Sequence, residues 1–249
     1  EEVSDKTLEC LKNSVPTEVP GIAFLSGGQS EVEATENLNL ISKNNSTNFI
    51  MTYSYGRALQ QSALKFWSKD ISKITEGLDG LRERLKKYYE LGTRFTKWRG
   101  VYSISNNYPS KLAIHSNAHA LARYAALVQE CEMVPIIEPE VLMDGDHSAD
   151  ECLEKTSEVI KKCFEELILH KIDLSGIILK PNMILAGSYS KNKISNEEVS
   201  DKTLECLKNS VPTEVPGIAF LSGGQSEVEA TENLNLISKN NSTNFIMTY

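Results

Sequence analysis

The chain has 249 residues, of which 40% are hydrophobic and 24% charged, and its formal net charge is −8. This apolar content is enough for a packed core and excludes wholesale disorder. The negative charge argues against a general nucleic-acid or anionic-membrane binder, and the longest apolar runs are far shorter than the roughly 18–20 residues of a membrane span. Because its five cysteines form no CxxC pair and no basic-then-apolar leader opens the chain, we expect reduced thiols in a cytoplasmic protein.

The chain contains an unusual internal repeat: residues 1–53 recur without a single change as residues 197–249. Evolved tandem repeats drift apart, and solenoid units are usually about 20–50 residues long. The unchanged copy therefore favours an artefact of cloning, or one segment numbered twice, over a functional duplication. An intact mass lighter by one repeat would eliminate a real duplication.

Short apolar runs alternate with amphipathic stretches along the chain. In chain order, the pattern predicts a strand at 22–25, a capped helix from Ser30 to about 42, a strand at 49–53, a helix to about 67, a helix at 79–91, a strand at 94–102, a helix at 115–130, a strand at 134–137, a helix at 149–169, a strand at 176–179, a helix at 198–208 and then the second copy. Strands separated by helices predict a parallel sheet built from βα units.

The strand count bounds the architecture. Five distinct strands are predicted, or seven when the copies are included, whereas a closed (β/α)₈ barrel needs eight strands and typically about 250 residues. Only 196 positions of the chain are distinct, so we expect part of the barrel to be absent. No linker rich in Gly, Ser or Pro divides the chain, and a single domain over 1–249 is predicted.

Polar or charged groups stand at the ends of the apolar strands: Ser26, Arg57, Lys97, Arg99, Glu138, Glu140 and Lys180. Active sites of barrels and open α/β sheets lie at the C-terminal ends of the strands, so these groups are expected to converge on one pocket. At Lys180, burial and nearby cations would lower the pKa and leave a nucleophile able to form a Schiff base with a ketone. The alternative is a strand-end lysine that reaches solvent.

Glu138 and Glu140 are predicted to share one face of an extended segment, because strand side chains alternate with period 2. Paired carboxylates beside a lysine suit general acid–base chemistry. The alternative is a structural ion pair with Lys97 or Arg99.

Two glycine-containing turns follow predicted strands. Ser26-Gly27-Gly28 precedes a capped helix, and Ser54-Tyr55-Gly56-Arg57 adds an arginine. Glycines let the backbone approach an anion, helix N-terminal amides favour negative charge, and arginine binds phosphate bidentately. Together they suggest a phosphorylated substrate, although such turns are common in α/β folds.

His115 and His119 have the i, i+4 spacing of a metal-binding helix, but the glutamate of a zincin helix is missing and the surrounding Ala/Leu-rich run is typical of packing. The segment 144–147, Asp-Gly-Asp-His, also contains residue types that bind metals, but a metal site is not favoured there either. We predict that the chain uses no metal and no other cofactor.

With these residues assembled, the chain closely resembles the class I fructose-bisphosphate aldolase family. The matching stretches are TEGLDGL (75–81), KWR (97–99), VPIIEPE (134–140), MDGDH (143–147), LKPNM (179–183), FLSGGQS (24–30 and 220–226) and SYGRALQ (54–60). The resemblance implies a (β/α)₈ barrel, reversible cleavage of fructose 1,6-bisphosphate through a lysine Schiff base, no metal, and a cytoplasmic homotetramer that binds a sugar phosphate.

The resemblance also implies roles for individual residues. Lys180 is similar to the Schiff-base lysine, Glu138 to the main acid–base residue, Lys97 to a neighbouring lysine on the substrate, and Glu140 and Arg99 to supporting and substrate-side groups. The positions that match the site for the ketose phosphate are Ser26, Gly27, Ser54, Gly56 and Arg57, with Ser222 and Gly223 in the second copy.

The order of the motifs departs from the family. The Tyr-Gly-Arg motif, which comes last in the family, lies upstream at 55–57, and counterparts of the family's first three strands are missing from the sequence. We therefore expect an incomplete or rearranged barrel. The alternatives are another Schiff-base sugar-phosphate aldolase or transaldolase, and a non-catalytic aldolase-like scaffold that binds partners.

Overall fold

The computed structural model describes residues 2–17, 19, 21–25, 29–55 and 78–248, without the side chains of 31 and 53–55. Within the chain two compact units are distinguished, one of residues 1–97 with 130–134 and the other of residues 98–129 with 135–249. The prediction of one domain over 1–249 stays a prediction. The predicted helix to about residue 67 lies outside the described residues.

The first unit is built from βα repeats. Its elements are α1 (Glu2–Ser14), β1 (Gly21–Leu25), α2 (Glu31–Asn44), β2 (Ile50–Tyr55), α3 (Leu81–Glu90) and the start of β3 (Phe95–Tyr102). Strand β1 pairs with β2 in parallel, with Gly21 opposite Ile50, and β2 pairs in parallel with β3, with Ser54 opposite Phe95.

The second unit continues the same pattern after the rest of β3. Its elements are α4 (Lys111–Glu130), β4 (Val134–Val141), α5 (Ala149–Leu169), a 3₁₀ turn (Leu174–Gly176), β5 (Ile178–Leu179), α6 (Asn196–Ser210), β6 (Gly217–Ala219), α7 (Glu227–Asn240) and β7 (Ile246–Thr248). Strands β4, β5, β6 and β7 pair in parallel in that order. The predicted parallel βα architecture is confirmed.

Four of the helices in the described part of the chain begin with a reciprocal capping box, in which a serine side chain accepts from the third helical amide and a glutamate accepts from the serine amide. The pairs are Ser30 with Glu33, Ser148 with Glu151, Ser195 with Glu198, and Ser226 with Glu229. Each serine cap is typically worth about 1 kcal/mol. These local signals explain why helix starts could be predicted from sequence.

Several strand boundaries differ from prediction, and two of these differences lie beside Glu138 and Lys180. Strand β4 runs to Val141 rather than ending at 137, so that Glu138 and Glu140 lie inside it. Strand β5 begins at Ile178 rather than at 176. Its start is displaced because Asp173 accepts a hydrogen bond from the Ser175 amide and caps a 3₁₀ turn there.

The two copies of the repeat form the same elements but bury their side chains differently. Val3 is 52% exposed and its duplicate Val199 only 2%, while Leu25 is 75% exposed and Leu221 only 8%. In the second copy, α6 packs against α5, and Ser157 donates a hydrogen bond to Cys206. Identical sequences therefore sit in unlike surroundings, and intact mass remains the test of the artefact interpretation.

Candidate active site

Strand β4 places two carboxylates on one face. Glu138 and Glu140 are 4% and 5% exposed, and they lie two residues apart in a continuous strand. Alternation along the strand turns Ile137, between Ile136 and Glu138, to the opposite face. Two carboxylates this deeply buried require cationic or hydrogen-bonding partners, because an isolated buried charge is costly.

Lys180 supplies the cation for Glu138. Ile137 pairs with Leu179 across β4 and β5, and the Lys180 amide donates to the Ile137 carbonyl at 2.7 Å, so Lys180 is the next residue in register beside Glu138. Its Nζ lies 3.4 Å from Glu138 Oε1, and its side chain is 24% exposed. The amine thus sits at the C-terminal end of the strand, mostly covered and beside a carboxylate. Its lowered pKa stays a prediction.

Arg99 is the partner of Glu140. The Arg99 Nε donates to Glu140 Oε2, and this hydrogen bond is the main reason that the pKa of Arg99 is raised above its ordinary value. Partial burial acts in the opposite direction, and the charges of Glu140 and Glu138 add to the rise. The ion-pair interpretation of Glu140 therefore fits the geometry, and Glu138 is left as the carboxylate facing the lysine.

Lys97 lies in β3, two residues before Arg99, so strand alternation puts both on the same face. The other face of β3 packs on α4. The Trp98 ring lies 5.5 Å from that of Tyr124, and Gly100 lies beneath Leu121. Lys97 itself is half-buried, and its predicted role on the substrate stays a prediction.

Asn182 is a residue that sequence reasoning missed. Its side chain is buried and accepts from the Val141 amide at 2.9 Å, while its Nδ2 donates to Thr156 Oγ1 at 3.2 Å and to the Met183 carbonyl at 3.0 Å. The segment that follows Lys180 is thereby fastened to the end of β4. A polar residue within the run Pro181 to Leu185 is the sequence signal that could have revealed it.

The predicted phosphate residues of the second copy lie at the end of β6. The Leu221 amide donates to the Pro181 carbonyl at 3.2 Å, which brings the turn holding Ser222 and Gly223 next to the segment after Lys180. Gly223 and Gly224 have φ values of +58° and +88°, which favour glycine. The strand ends that carry Glu138, Lys180 and Ser222 are therefore consecutive.

The first-copy phosphate residues are only partly visible. Ser26, Gly27, Gly56 and Arg57 lie outside the described residues. Ser54 is described only by its backbone, as part of β2. Their predicted roles remain predictions.

The segment MDGDH at 143–147 packs against residues 187–189. The Gly187 amide donates to the His147 carbonyl at 2.9 Å, and a side chain at Gly187 would overlap the carbonyl of Gly145. The His147 side chain is buried, and burial lowers its pKa below the ordinary value. Within the part of the chain that is described, neither of its ring nitrogens has a hydrogen-bond partner.

The Ala/Leu-rich run of α4 packs into the core as predicted, but the two histidines within it do not. Ile114, Ala118 and Leu121 form the buried stripe of the helix. His115 and His119 lie on its exposed side, and each faces Glu166 of α5.

Comparison with known proteins places these observations in a family. A model of the glycolytic class-I fructose-bisphosphate aldolases matches residues 1–74 and 68–249. This chain belongs to the class-I fructose-bisphosphate aldolase family. The aldolase match falls in two overlapping stretches, as expected for a chain in which the segment carrying 55–57 lies upstream of the rest.

Two curated aldolases illustrate the extent of the match. The chain is 52% identical over 165 residues to fructose-bisphosphate aldolase 4, cytosolic, of Arabidopsis thaliana, a match that covers 66% of this chain and 42% of the relative. It is 50% identical over 166 residues to the Dictyostelium discoideum aldolase, covering 66% and 46%. The chain thus spans less than half the length of these relatives.

A solved aldolase shares the fold. The structure of fructose-bisphosphate aldolase from Plasmodium falciparum, in complex with TRAP and a small-molecule inhibitor, has a TM-score of 0.76 and 32% identity, and the match covers 98% of this chain and 70% of that one. The predicted α/β, (β/α)₈-type fold is confirmed. The described residues hold seven strands of this aldolase fold, one fewer than a closed barrel. None of the helices in the described ranges is both long and apolar enough to cross a bilayer.

Proposed function

We propose that this chain carries out the reversible cleavage of fructose 1,6-bisphosphate to dihydroxyacetone phosphate and glyceraldehyde 3-phosphate through a Schiff base on Lys180. The observation that carries the proposal is the pair at the ends of β4 and β5, where Lys180 Nζ lies 3.4 Å from Glu138 Oε1. A mostly covered amine beside a buried carboxylate has the two groups that imine formation requires, a nucleophile and a proton carrier.

The chemistry follows from this pair. The neutral Lys180 amine attacks the C2 ketone and forms a carbinolamine. Glu138 then donates a proton to the carbinolamine hydroxyl, which leaves as water. The resulting iminium accepts the electron pair of the C3–C4 bond as that bond breaks. Glu138, now ionised, accepts the proton of the C4 hydroxyl, and glyceraldehyde 3-phosphate leaves as an aldehyde. C3 of the enamine that remains on the lysine then takes up a proton, which regenerates the iminium. Water hydrolyses this iminium and releases dihydroxyacetone phosphate and the free lysine.

The remaining predicted residues position the substrate in this proposal. Lys97 and Arg99 share a face of β3, and their positive charge favours a phosphorylated substrate. Glu140 holds the Arg99 guanidinium in place. The turn at Ser222 and Gly223 offers backbone groups near the Lys180 segment, and Ser26, Gly27, Ser54, Gly56 and Arg57 are proposed for the same purpose.

We also propose a cytoplasmic homotetramer whose aldolase chemistry needs no cofactor. Relatives from Arabidopsis thaliana are named cytosolic. The Schiff base itself supplies the electron sink that a metal ion provides in other lyases.

The test is reductive trapping. The full chain is treated with borohydride in the presence of dihydroxyacetone phosphate, and the modified peptide is identified by mass spectrometry. We expect one adduct, on Lys180, that disappears in Lys180→Arg and persists in Lys171→Arg, an exposed lysine outside the strand ends. An adduct that survives in Lys180→Arg would refute the assignment.

Turnover distinguishes the alternatives. Cleavage of fructose 1,6-bisphosphate, with fructose 1-phosphate as the second substrate, is expected to fall by about 10²–10⁴-fold in Glu138→Gln, the usual contribution of a general acid–base group. Activity should be unchanged by EDTA. Trapping without cleavage of either sugar would favour a different Schiff-base lyase, and neither trapping nor cleavage would favour a binding scaffold.

A further inference from the structure

Three of the four histidines of this chain gather around one buried carboxylate, away from the strand ends. Glu166 of α5 is 4% exposed, and the histidines are His115 and His119 of α4 and His170 at the end of α5. His119 Nδ1 lies 3.1 Å from Glu166 Oε2, and His115 Nδ1 lies 3.5 Å from Oε1. No sequence motif connects these two helices.

The cluster is made of two i, i+4 pairs on facing helices. His115 and His119 are one helical turn apart on α4, and Glu166 and His170 are one turn apart at the end of α5. His170 Nδ1 lies 4.0 Å from Glu166 Oε2, and its ring lies 5.0 Å from the His119 ring. Ligand atoms of His119, Glu166 and His170 all lie within 4.8 Å of one another.

The surroundings orient these donors. His170 Nδ1 is 2.8 Å from the Glu166 carbonyl oxygen. When that nitrogen carries the proton, the lone pair is on Nε2, which is the arrangement that outer-shell hydrogen bonds impose on metal-binding histidines. The two oxygens of the Glu166 carboxylate face different partners. Lys162 Nζ lies 3.6 Å from Oε1, whereas Oε2 faces His119.

We propose that His119, Glu166 and His170 bind one divalent transition-metal ion of the zinc type, with solvent completing its coordination. Imidazole nitrogens with a single carboxylate oxygen suit Zn²⁺, Ni²⁺ or Cu²⁺, whereas Mg²⁺ and Ca²⁺ prefer oxygen ligands. Tetrahedral zinc with bonds of about 2.0–2.1 Å separates its ligands by about 3.4 Å, so modest side-chain rotation closes the site.

The ion would link α4 to α5 and stabilise their packing. All its protein ligands lie on these helices and none at the strand ends that carry Glu138 and Lys180. A metal ion that binds only the folded chain raises the free energy of unfolding. The increase grows with the logarithm of the ratio of metal concentration to dissociation constant. The site is therefore independent of the Schiff-base chemistry, and chelation should change stability without changing borohydride trapping.

Zn²⁺ titration of the full chain tests the site. Exposed Cys10 is first blocked with iodoacetamide, because a thiol would also bind zinc. Calorimetry is expected to give one Zn²⁺ per chain, together with a raised melting temperature. The double variant His119→Gln/His170→Gln should bind at least about tenfold more weakly, since loss of even an outer-shell partner costs that much.

Glu154→Gln, which removes an exposed carboxylate elsewhere on α5, is the matched control and should bind like the parent. Circular dichroism of each variant checks that the helices are retained. Absence of saturable Zn²⁺ binding, or equal affinity in the double variant and the parent, would overturn the proposal and leave the cluster as a charge network around Glu166.

Discussion

Asn182 is expected to fix the position of the Lys180 segment against β4. Replacing it with alanine removes the acceptor of the Val141 amide, at 2.9 Å, and the donor to Thr156 Oγ1, at 3.2 Å. Both partners are buried. A hydrogen bond contributes about 1 kcal/mol net and an unpaired buried amide costs about 1–3 kcal/mol, so Asn182→Ala should lower the free energy of unfolding by about 2–4 kcal/mol.

Hydrogen exchange followed by mass spectrometry reads this effect locally. The Val141 amide should exchange at least about 30-fold faster in Asn182→Ala, because 1.4 kcal/mol corresponds to about tenfold. The proposed cleavage of fructose 1,6-bisphosphate should slow by about 10–100-fold as Lys180 and Glu138 lose their register. Thr156→Val removes the hydrogen bond from Asn182 and a weaker 3.8 Å contact with Cys152 Sγ, and it leaves the Val141 amide paired. It is the graded control, with an expected loss of about 1 kcal/mol.

A double-mutant cycle makes the test specific. Thr156→Val should cost less in the Asn182→Ala background than in the parent, because the two side chains share one hydrogen bond. Unchanged exchange at Val141, or strictly additive losses in the cycle, would refute the reasoning.

Two further predictions concern thiols and acid stability. Cys10 is exposed, whereas burial raises the pKa of its duplicate Cys206 to about 11. The two cysteines lie in tryptic peptides of identical sequence (7–12 and 203–208), so alkylation of the native chain should modify one half of this peptide and then stop. A steady rise of the modified fraction beyond one half would contradict this. Burial lowers the pKa of His147 in the folded chain, so as pH falls His147 is protonated in the unfolded chain before it is protonated in the folded one. The free energy of unfolding should therefore decrease as pH drops below about 6.5. Urea midpoints at pH 7.5 and 5.5 should differ less in His147→Gln than in the parent, and equal differences would exclude the effect.

Much of the fold could be predicted because its signals are local. Helix α5 runs from 149 to 169 as predicted, since Ser148 and Glu151 form a capping box at its start. The clustering of Lys180 with Glu138 was also predictable, because parallel strands end at a common edge. The ion pair of Glu140 with Arg99 was foreseen only as an alternative.

What the sequence did not reveal depends on contacts between distant segments. The Ala/Leu-rich composition of α4 indicated packing, but it could not show that Glu166 and His170 lie opposite His119. Asn182 was overlooked for the same reason, because its partners are 26 and 41 residues away. Strand β5 was predicted too long because a side-chain cap at Asp173 competed with the strand.

The duplicated segment gives this molecule an internal reference for the energetics of burial. Val3 and Val199 have the same neighbours in sequence and lie in matching helices, yet only Val199 is enclosed. An alanine makes the same chemical change at both positions, although Val3 is the second residue of α1 and Val199 the fourth residue of α6. Subtracting one loss of stability from the other therefore removes most of the change in helix propensity and leaves mainly the free energy of enclosing a single valine.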